Sequence, residues 1–394
     1  MQMRWTQQKG DPPKSGNTEP ELGVLLVGQT PPPHHGQALM LERLANARFS
    51  RVRLVHVRMA FSATPQSVGR FELRKVAHLL ALIVKVVYAR FRHGTPMLVF
   101  PPAPPNRTPV VRDVILLLVL RPLFQQVVFT FHAAGVSEFL ESCPPILRAL
   151  AKNAYAHPDG AIVLSSLLPP DAHRFHAARI AIIPNGIPDS AGDEPIARNS
   201  SHRFARILFV GLLTESKGIL VLIDAAKLLV ESGARFEIVF VGDFDSAELE
   251  SRVKSRCQAY GVSDVVRFLG PIHGPSRWEQ FREADVLCLP SYYEAEALPL
   301  VIIEAMMYRL PVIATRWRGI PDLVADGVTG LLVQPKNADE LAKAMQRLIV
   351  EPNLRQEMGE RARRRFIEHF TLAEHLRRTE DFLLTVARRN PRRH

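Results

Sequence analysis

The stretch Pro290-Ser-Tyr-Tyr-Glu294-Ala-Glu296-Ala-Leu298-Pro-Leu-Val-Ile-Ile-Glu304-Ala-Met-Met-Tyr-Arg-Leu-Pro311-Val-Ile-Ala314 decides how the chain is read. Before it stands the apolar run Val286–Leu289, which has the length of a buried strand and is stopped by Pro290. A loop with three possible ligands, Ser291, Glu294 and Glu296, follows. A helix is expected from near Pro299, because proline suits a first helical turn. Glu296 then stands just outside a helix N-terminus, beside backbone amides able to hold an anion. Glu304 lies one to two turns inside and points back toward that end, where a carboxylate suits hydroxyl groups better than another anion. An N-capping acid followed by an ordinary surface glutamate fits the same letters. Against that, Glu304 stands in the apolar run Leu300 to Met307, where a buried charge needs a partner.

The rhythm of short apolar run, loop and amphipathic stretch repeats in both directions from this point. Strands are expected at Gly23–Val27, Val52–Val57, Met97–Phe100, Val127–Phe131, Gly160–Leu164 and Ile180–Ile183. The pattern restarts at Arg206–Val210, Phe236–Val241, Val265–Leu269, Val286–Leu289, Val312–Ala314 and Gly330–Val333. Alternation of this kind implies an α/β chain with two doubly wound, Rossmann-like parallel sheets. Pro184 to Arg203, rich in Pro, Gly, Asp, Asn and Ser, reads as the connection. The expected division is a loose tail over 1–20, a first domain over 21–190, a linker over 191–203, a second domain over 204–370 and a last helix over 371–394. Two arginine-rich helices, Leu354–His369 and Leu372–Arg389, close the chain. Two such domains place the carboxyl ends of both strand sets across one cleft, where open parallel sheets bind ligands.

With 394 residues, 47% of them hydrophobic and 23% charged, the chain has enough material for two cores. Cys143, Cys257 and Cys288 fit no paired or zinc spacing, so a reducing, cytoplasmic setting is expected. A secretory signal is not expected, because the first residues do not form a charged-then-apolar segment. The longest apolar run, Val114 to Leu120, is far short of the ~20 residues of a spanning helix. The net charge of +11 is unevenly placed: +10 over residues 1–190, −4 over 191–354 and +5 over 355–394. No zinc finger, RNA-binding aromatic signature or basic recognition helix accompanies it, so nucleic acid is not the expected partner. An anionic membrane surface or an anionic acceptor accounts for the charge. The stretch Arg70 to Arg92 is apolar at helical spacing with basic residues around it; it fits a sheet-covering helix and a lipid-touching one alike.

A second loop, Gly211-Leu-Leu-Thr-Glu-Ser-Lys217-Gly218, follows the strand ending at Val210. Glycine at a strand end lets the backbone turn beside a phosphate, and Lys217 is expected to enter the next helix. A helix start with an exposed lysine has the same spacing. The sequence is not a Walker loop.

Taken in order, Ile183-Pro-Asn-Gly186, Gly211…Lys217-Gly218, Phe240-Val-Gly242-Asp, Arg267-Phe-Leu-Gly270, the Glu296-x7-Glu304 loop and helix, Gly319-Ile-Pro-Asp322 and Asp326-Gly-Val-Thr-Gly-Leu-Leu resemble glycosyltransferase family 4. That group comprises retaining enzymes of the GT-B fold, and the resemblance spans nearly the whole chain. It implies that Lys217 contacts the diphosphate of a nucleotide-diphospho-sugar and that Glu304 holds the ribose. It implies that Glu296 and the amides of Ala297 and Leu298 meet the donor sugar. The loop Thr30-Pro-Pro-Pro-His-His-Gly36-Gln37 is implied to close over the phosphates from the first domain, with Gly36 nearest, and His132 to lie near the transferred sugar. A buried histidine under the sheet is the other reading of His132; His34 and His35 read as loop residues. Leu212 stands where the family often has a basic residue, so Lys217 would work with another cation, for instance from the first domain. Gln37 replaces a second glycine, which changes the acceptor side.

Neither the 211–218 loop nor the 290–299 loop contains an Asp-x-Asp pair or a His/Cys cluster. The expected chemistry is therefore metal-independent, with Lys217 and helix-end amides stabilising the leaving group and no cofactor beyond the donor. The front-face retaining route implied by the resemblance lets the diphosphate take the acceptor proton. The expected acceptor is a lipid-linked sugar or a surface glycan; a small soluble acceptor and a non-catalytic nucleotide-sugar-binding subunit are the rivals. A dinucleotide oxidoreductase is disfavoured because neither half has a Gly-x-Gly-x-x-Gly turn.

Overall fold

The computed structural model describes residues 22–32, 35–59, 73–192 and 204–388. The 1–20 tail, His34, Arg70, most of the 191–203 linker and Arg389 lie outside the described residues. The first half runs β1 (Leu22–Gly28), α1 (Gly36–Ala45), β2 (Val52–Arg58), α2 (Leu73–Arg92), β3 (Met97–Phe100) and α3 (Arg107–Leu120). It continues through β4 (Gln126–Phe131), α4 (Val136–Glu141), α5 (Pro145–Tyr155), β5 (Gly160–Val163), α6 (Asp171–Arg174) and β6 (Ile180–Ile182). The second half begins β7 (Ala205–Val210), α7 (Ile219–Glu231), β8 (Phe236–Val241), α8 (Ala247–Ala259), β9 (Val266–Phe268) and α9 (Pro275–Glu283). Then come β10 (Val286–Leu289), α10 (Leu300–Met307), β11 (Val312–Thr315), α11 (Ile320–Leu323) and β12 (Gly330–Val333). The chain closes with α12 (Ala338–Val350), α13 (Pro352–His369) and α14 (Leu372–Ala387).

Both sheets are six-stranded and parallel, ordered β2-β1-β3-β4-β5-β6 and β12-β11-β10-β7-β8-β9. Strands such as Val-Leu-Cys-Leu in β10 are buried at every position, as expected where helices cover both faces. In the first sheet the faces divide residue by residue. Leu25, Val27, Leu98 and Phe129 pack under α2, α3 and α5. Val24, Leu26, Val99 and Val128 pack under α1 and, through Leu383 and Leu384, under α14. Alternate strand residues point to opposite faces, so α14 lies across the sheet from α2. There α14 fills the side that α1 leaves open, where Gly160 leaves room for Phe382 and Val386.

The crossing back is fixed before α14 begins. Arg363 of α13 is 2% exposed and grips Asp189 through two hydrogen bonds of 2.8 and 2.6 Å. Ile187 pairs with Thr371 in a short bridge. No helix among the described residues is long and apolar enough to cross a membrane.

Candidate functional site

In the second sheet the chain runs outward through β7, β8 and β9, then restarts at β10 beside β7 and proceeds the other way. The loops after β7 and β10 therefore diverge from one point, the place where such sheets hold ligands. Gly211 opens the β7 loop, its N–H donating to Val241. Lys217 ends a 3-10 turn over Glu215–Lys217, capped by Thr214, and does not enter α7 as expected. Gly218 causes this. Its φ of +83° breaks the turn from α7, and a Cβ there would sit 2.1 Å from the carbonyl oxygen of Pro290. The two loops are thus packed backbone to backbone, with the Tyr292 N–H donating to Ser216 at 2.7 Å.

That contact aims Lys217 at Glu296. Its Nζ lies 2.6 Å from Glu296 Oε2, and the Ser291 hydroxyl donates to the same oxygen at 2.8 Å. Tyr293 lies under the ammonium with its ring centre 5.2 Å away. Glu294 is exposed and stays outside the cluster. Pro299 caps α10 from outside, and the helix starts at Leu300. The amides of Ala297 and Leu298 precede it and donate to no acceptor among the described residues, so they remain available to an anion.

Glu304 is 4% exposed. The partner its burial demands is Arg277, whose Nη1 and Nη2 lie 2.9 and 2.5 Å from its two oxygens. The sequence reading passed over Arg277. A signal was present: it sits in the first turn of α9, which has no acid to offset it, and a cation there opposes the helix dipole. A misplaced charge of this kind points to a partner elsewhere. A second cation approaches from the first domain. Arg43 of α1 is held at Gly186 O, and burial lowers its pKa while the nearby Glu304 charge raises it.

The first domain supplies the opposite wall. Gly36 is the first residue of α1, capped by His35 Nδ1, and a Cβ on it would lie 3.8 Å from Leu300. The N-termini of α1 and α10 therefore face each other across the cleft. Ala134 donates to Ala295 at 3.5 Å and Asn185 to Leu298 at 3.1 Å. Arg318 and Glu138 pair across the same boundary at 3.3 Å. His132 follows β4 in a small pocket with Met40, Ile162 and His375, and its Nδ1 has no hydrogen-bond partner among the described residues. Burial, aided by His375 and His35, pushes its pKa down to about 3. A pKa lowered this far favours the neutral ring at physiological pH.

An Asp-x-Asp spacing does occur outside the two loops, at Asp243-Phe-Asp245 beyond β8, where both carboxylates are exposed. Among the described residues, no group of three or more His, Cys, Asp or Glu side chains could hold a metal ion.

Residues 194–365 match the family model described as Glycosyl transferases group 1. The amylovoran biosynthesis glycosyltransferase AmsK of Erwinia amylovora is 34% identical over 155 residues, 38% of this chain and 37% of that one. The D-inositol 3-phosphate glycosyltransferase of Arthrobacter sp. (strain FB24) is 35% identical over 158 residues, 40% of this chain and 37% of that one. The match to these curated relatives spans little more than a third of their length. Among solved structures, Anabaena HepE in complex with UDP superposes with a TM-score of 0.71 at 19% identity, covering 92% of this chain and all of that one. The two sheets and their cleft are the GT-B fold.

Proposed function

We propose that the chain is a retaining, metal-independent glycosyltransferase that takes a sugar from a nucleotide-diphospho-sugar bound between the two domains. The observation that carries this reading is the convergence of the α1 and α10 N-termini on one cleft beside Lys217, with two buried carboxylates alongside. Opposed helix ends and an ammonium favour a diphosphate, and carboxylates favour the hydroxyls of a ribose or hexose. Glu304 is assigned to the ribose, Glu296 with the Ala297 and Leu298 amides to the donor sugar, and Lys217 to the diphosphate. Arg43 and Arg277 supply the extra cationic character that Leu212 does not. The acceptor oxygen forms its bond to the anomeric carbon on the face from which the diphosphate leaves, and its proton passes to the departing phosphate oxygen. His132, neutral, hydrogen-bonds to the transferred sugar and takes no proton. The family match and the binding of UDP by a structure of the same fold support the donor class. A lipid-linked or surface glycan is the proposed acceptor, reached from the cytoplasmic side with the enzyme peripheral on the membrane.

A thermal-shift screen of nucleotide sugars tests donor binding, since a ligand present at 100 times its Kd stabilises the folded state by about 2.7 kcal/mol. Lys217→Ala and Glu304→Ala, purified and folded, should each lose most transfer, because a charge-assisted contact contributes on the order of 1.5–3 kcal/mol. Wild-type turnover in either would remove that residue from the mechanism.

A further inference from the structure

Ten of the twenty exposed large hydrophobic residues among those described stand on three neighbouring helices of the first domain, each between 37% and 78% exposed. On α2 they are Leu80, Val84, Tyr88 and Phe91, a stripe at helical spacing that faces away from the buried Leu82, Val86 and Ala89. On α3 they are Val111, Ile115, Leu118 and Val119. On α5 they are Ile146 and Leu150. The three helices cover one face of one sheet, with α3 between α2 and α5, so the stripes adjoin. Surface helices normally turn charged residues outward, and monomeric proteins rarely expose contiguous apolar patches of more than a few hundred Å².

The charge of the same helices identifies what covers the face. Together α2, α3 and α5 hold nine Lys or Arg and one acid, Asp113. Asp113 is fully buried and turned inward, accepting from the Ala103 amide and the Tyr155 hydroxyl. Lys85 and Arg92 flank the α2 stripe, Arg107 opens α3, and Lys152 lies beside the α5 pair, all four exposed. Beside α5 one exposed acid, Glu141 of α4, lies 3.6 Å from both Arg148 and Lys152, and cations otherwise border the apolar side chains, which matches the boundary between acyl chains and anionic headgroups. A protein partner would have to offer a flat apolar face with an acidic rim.

We propose that the α2–α3–α5 face docks on an anionic lipid bilayer, its apolar stripes entering the headgroup boundary and its basic residues meeting the lipid charge. The tail helix α14, on the far side of the sheet, takes no part. This deepens the peripheral placement proposed above, and vesicles without donor sugar keep its outcome separate from that of the transferase reading.

The test is co-sedimentation of the full chain with phosphatidylglycerol-containing vesicles and with pure phosphatidylcholine vesicles, each at low and high salt. Wild-type protein should bind the anionic vesicles and weaken with salt. Val84→Glu/Phe91→Glu and Ile115→Glu/Leu118→Glu, with wild-type melting temperatures, should each lose about tenfold or more in partition. Arg377→Glu/Arg388→Glu on α14 should stay within about twofold of wild type. No binding by the wild type, unchanged binding in both apolar variants, or loss in the tail variant alone would each overturn the proposal. A wild-type dimer in sedimentation that becomes a monomer in the apolar variants would assign the face to a second copy of the chain instead.

Discussion

Replacing Arg277 with alanine takes a guanidinium away from a carboxylate whose side chain is 6% exposed and held by bonds of 2.9 and 2.5 Å. Breaking a fully buried ion pair by removing one partner costs about 3–5 kcal/mol, because the remaining charge is left without compensation. Here the cost should be smaller. Arg277 is itself 22% exposed, and the Arg43 charge also acts on Glu304. A destabilisation of about 2–3 kcal/mol is therefore expected, at or below the lower bound of that range. The reverse change, Glu304→Gln, leaves a cation that can turn toward water and keeps an amide in the cavity, and it should cost about 1 kcal/mol. Combining the two removes the buried charge altogether. The double variant should recover part of the Arg277→Ala loss, with a coupling energy of about 1–2 kcal/mol. Urea unfolding followed by circular dichroism reads all four species of the cycle. A stability for Arg277→Ala within about 0.5 kcal/mol of wild type, the range of an ordinary surface substitution, would refute the reasoning. Glu304 would then not depend on its latch, and its burial would need another cause.

Two further outcomes follow from the site and its surroundings. Transfer should persist in excess chelator, because under the proposed chemistry Lys217 and the helix-end amides do the work a metal would do; loss with EDTA and recovery with manganese would bring Asp243 and Asp245 forward as ligands. Acid should weaken the fold through His375, which is 7% exposed, bonded at Nδ1 to the Pro184 carbonyl oxygen, and held at a pKa of about 4 chiefly by burial. The unfolded chain binds this proton near pH 6.5 and the folded one does not. The contribution is whole above pH 6.5 and falls away toward pH 4, with about 1–2 kcal/mol gone at pH 5. His375→Gln should flatten that part of the stability profile between pH 7 and 5, and an unchanged slope would show that the ring is not the group responsible.

Most of the twelve strands were legible because a parallel strand buried on both faces is a short apolar run, while β2, β6 and β9 are partly exposed. Each begins and ends within a residue of where its sequence places it. The loop after β10 was legible for a local reason, since Pro290 and Pro299 bracket it and the helix behind it is apolar. What was not legible depends on contacts distant in sequence. The Arg277–Glu304 pair joins two helices through their side chains, and no spacing rule links residues 27 positions apart. Lys217 was misplaced because the conformation of Gly218 answers to Pro290, which lies in another loop. The side of the sheet that α14 takes is equally silent in its own letters, which define an amphipathic helix without saying which sheet face receives it. Net charge summed by segment is silent on this as well, because it adds together residues that the sheet separates.

The two ion pairs bear on how the proposed site would work. Without ligand, each acidic residue assigned to the donor is held by a cation of the same domain, Glu296 by Lys217 and Glu304 by Arg277. The pairs give both carboxylates a cationic partner in a region of low exposure, where an uncompensated charge would be costly. Under the proposed chemistry a diphosphate arriving between α1 and α10 competes with Glu296 for Lys217. As the ammonium turns to phosphate, the Glu296 oxygen it leaves becomes free to accept from a sugar hydroxyl, while Ser291 still donates to it. One charge-assisted bond is exchanged for another, so little of the binding free energy is spent on opening the site. The same exchange makes the carboxylate available at the moment the phosphate is in place. Binding of the nucleotide part and orientation of the sugar are in this way coupled through a single lysine, whose position is set by the contact between Gly218 and Pro290.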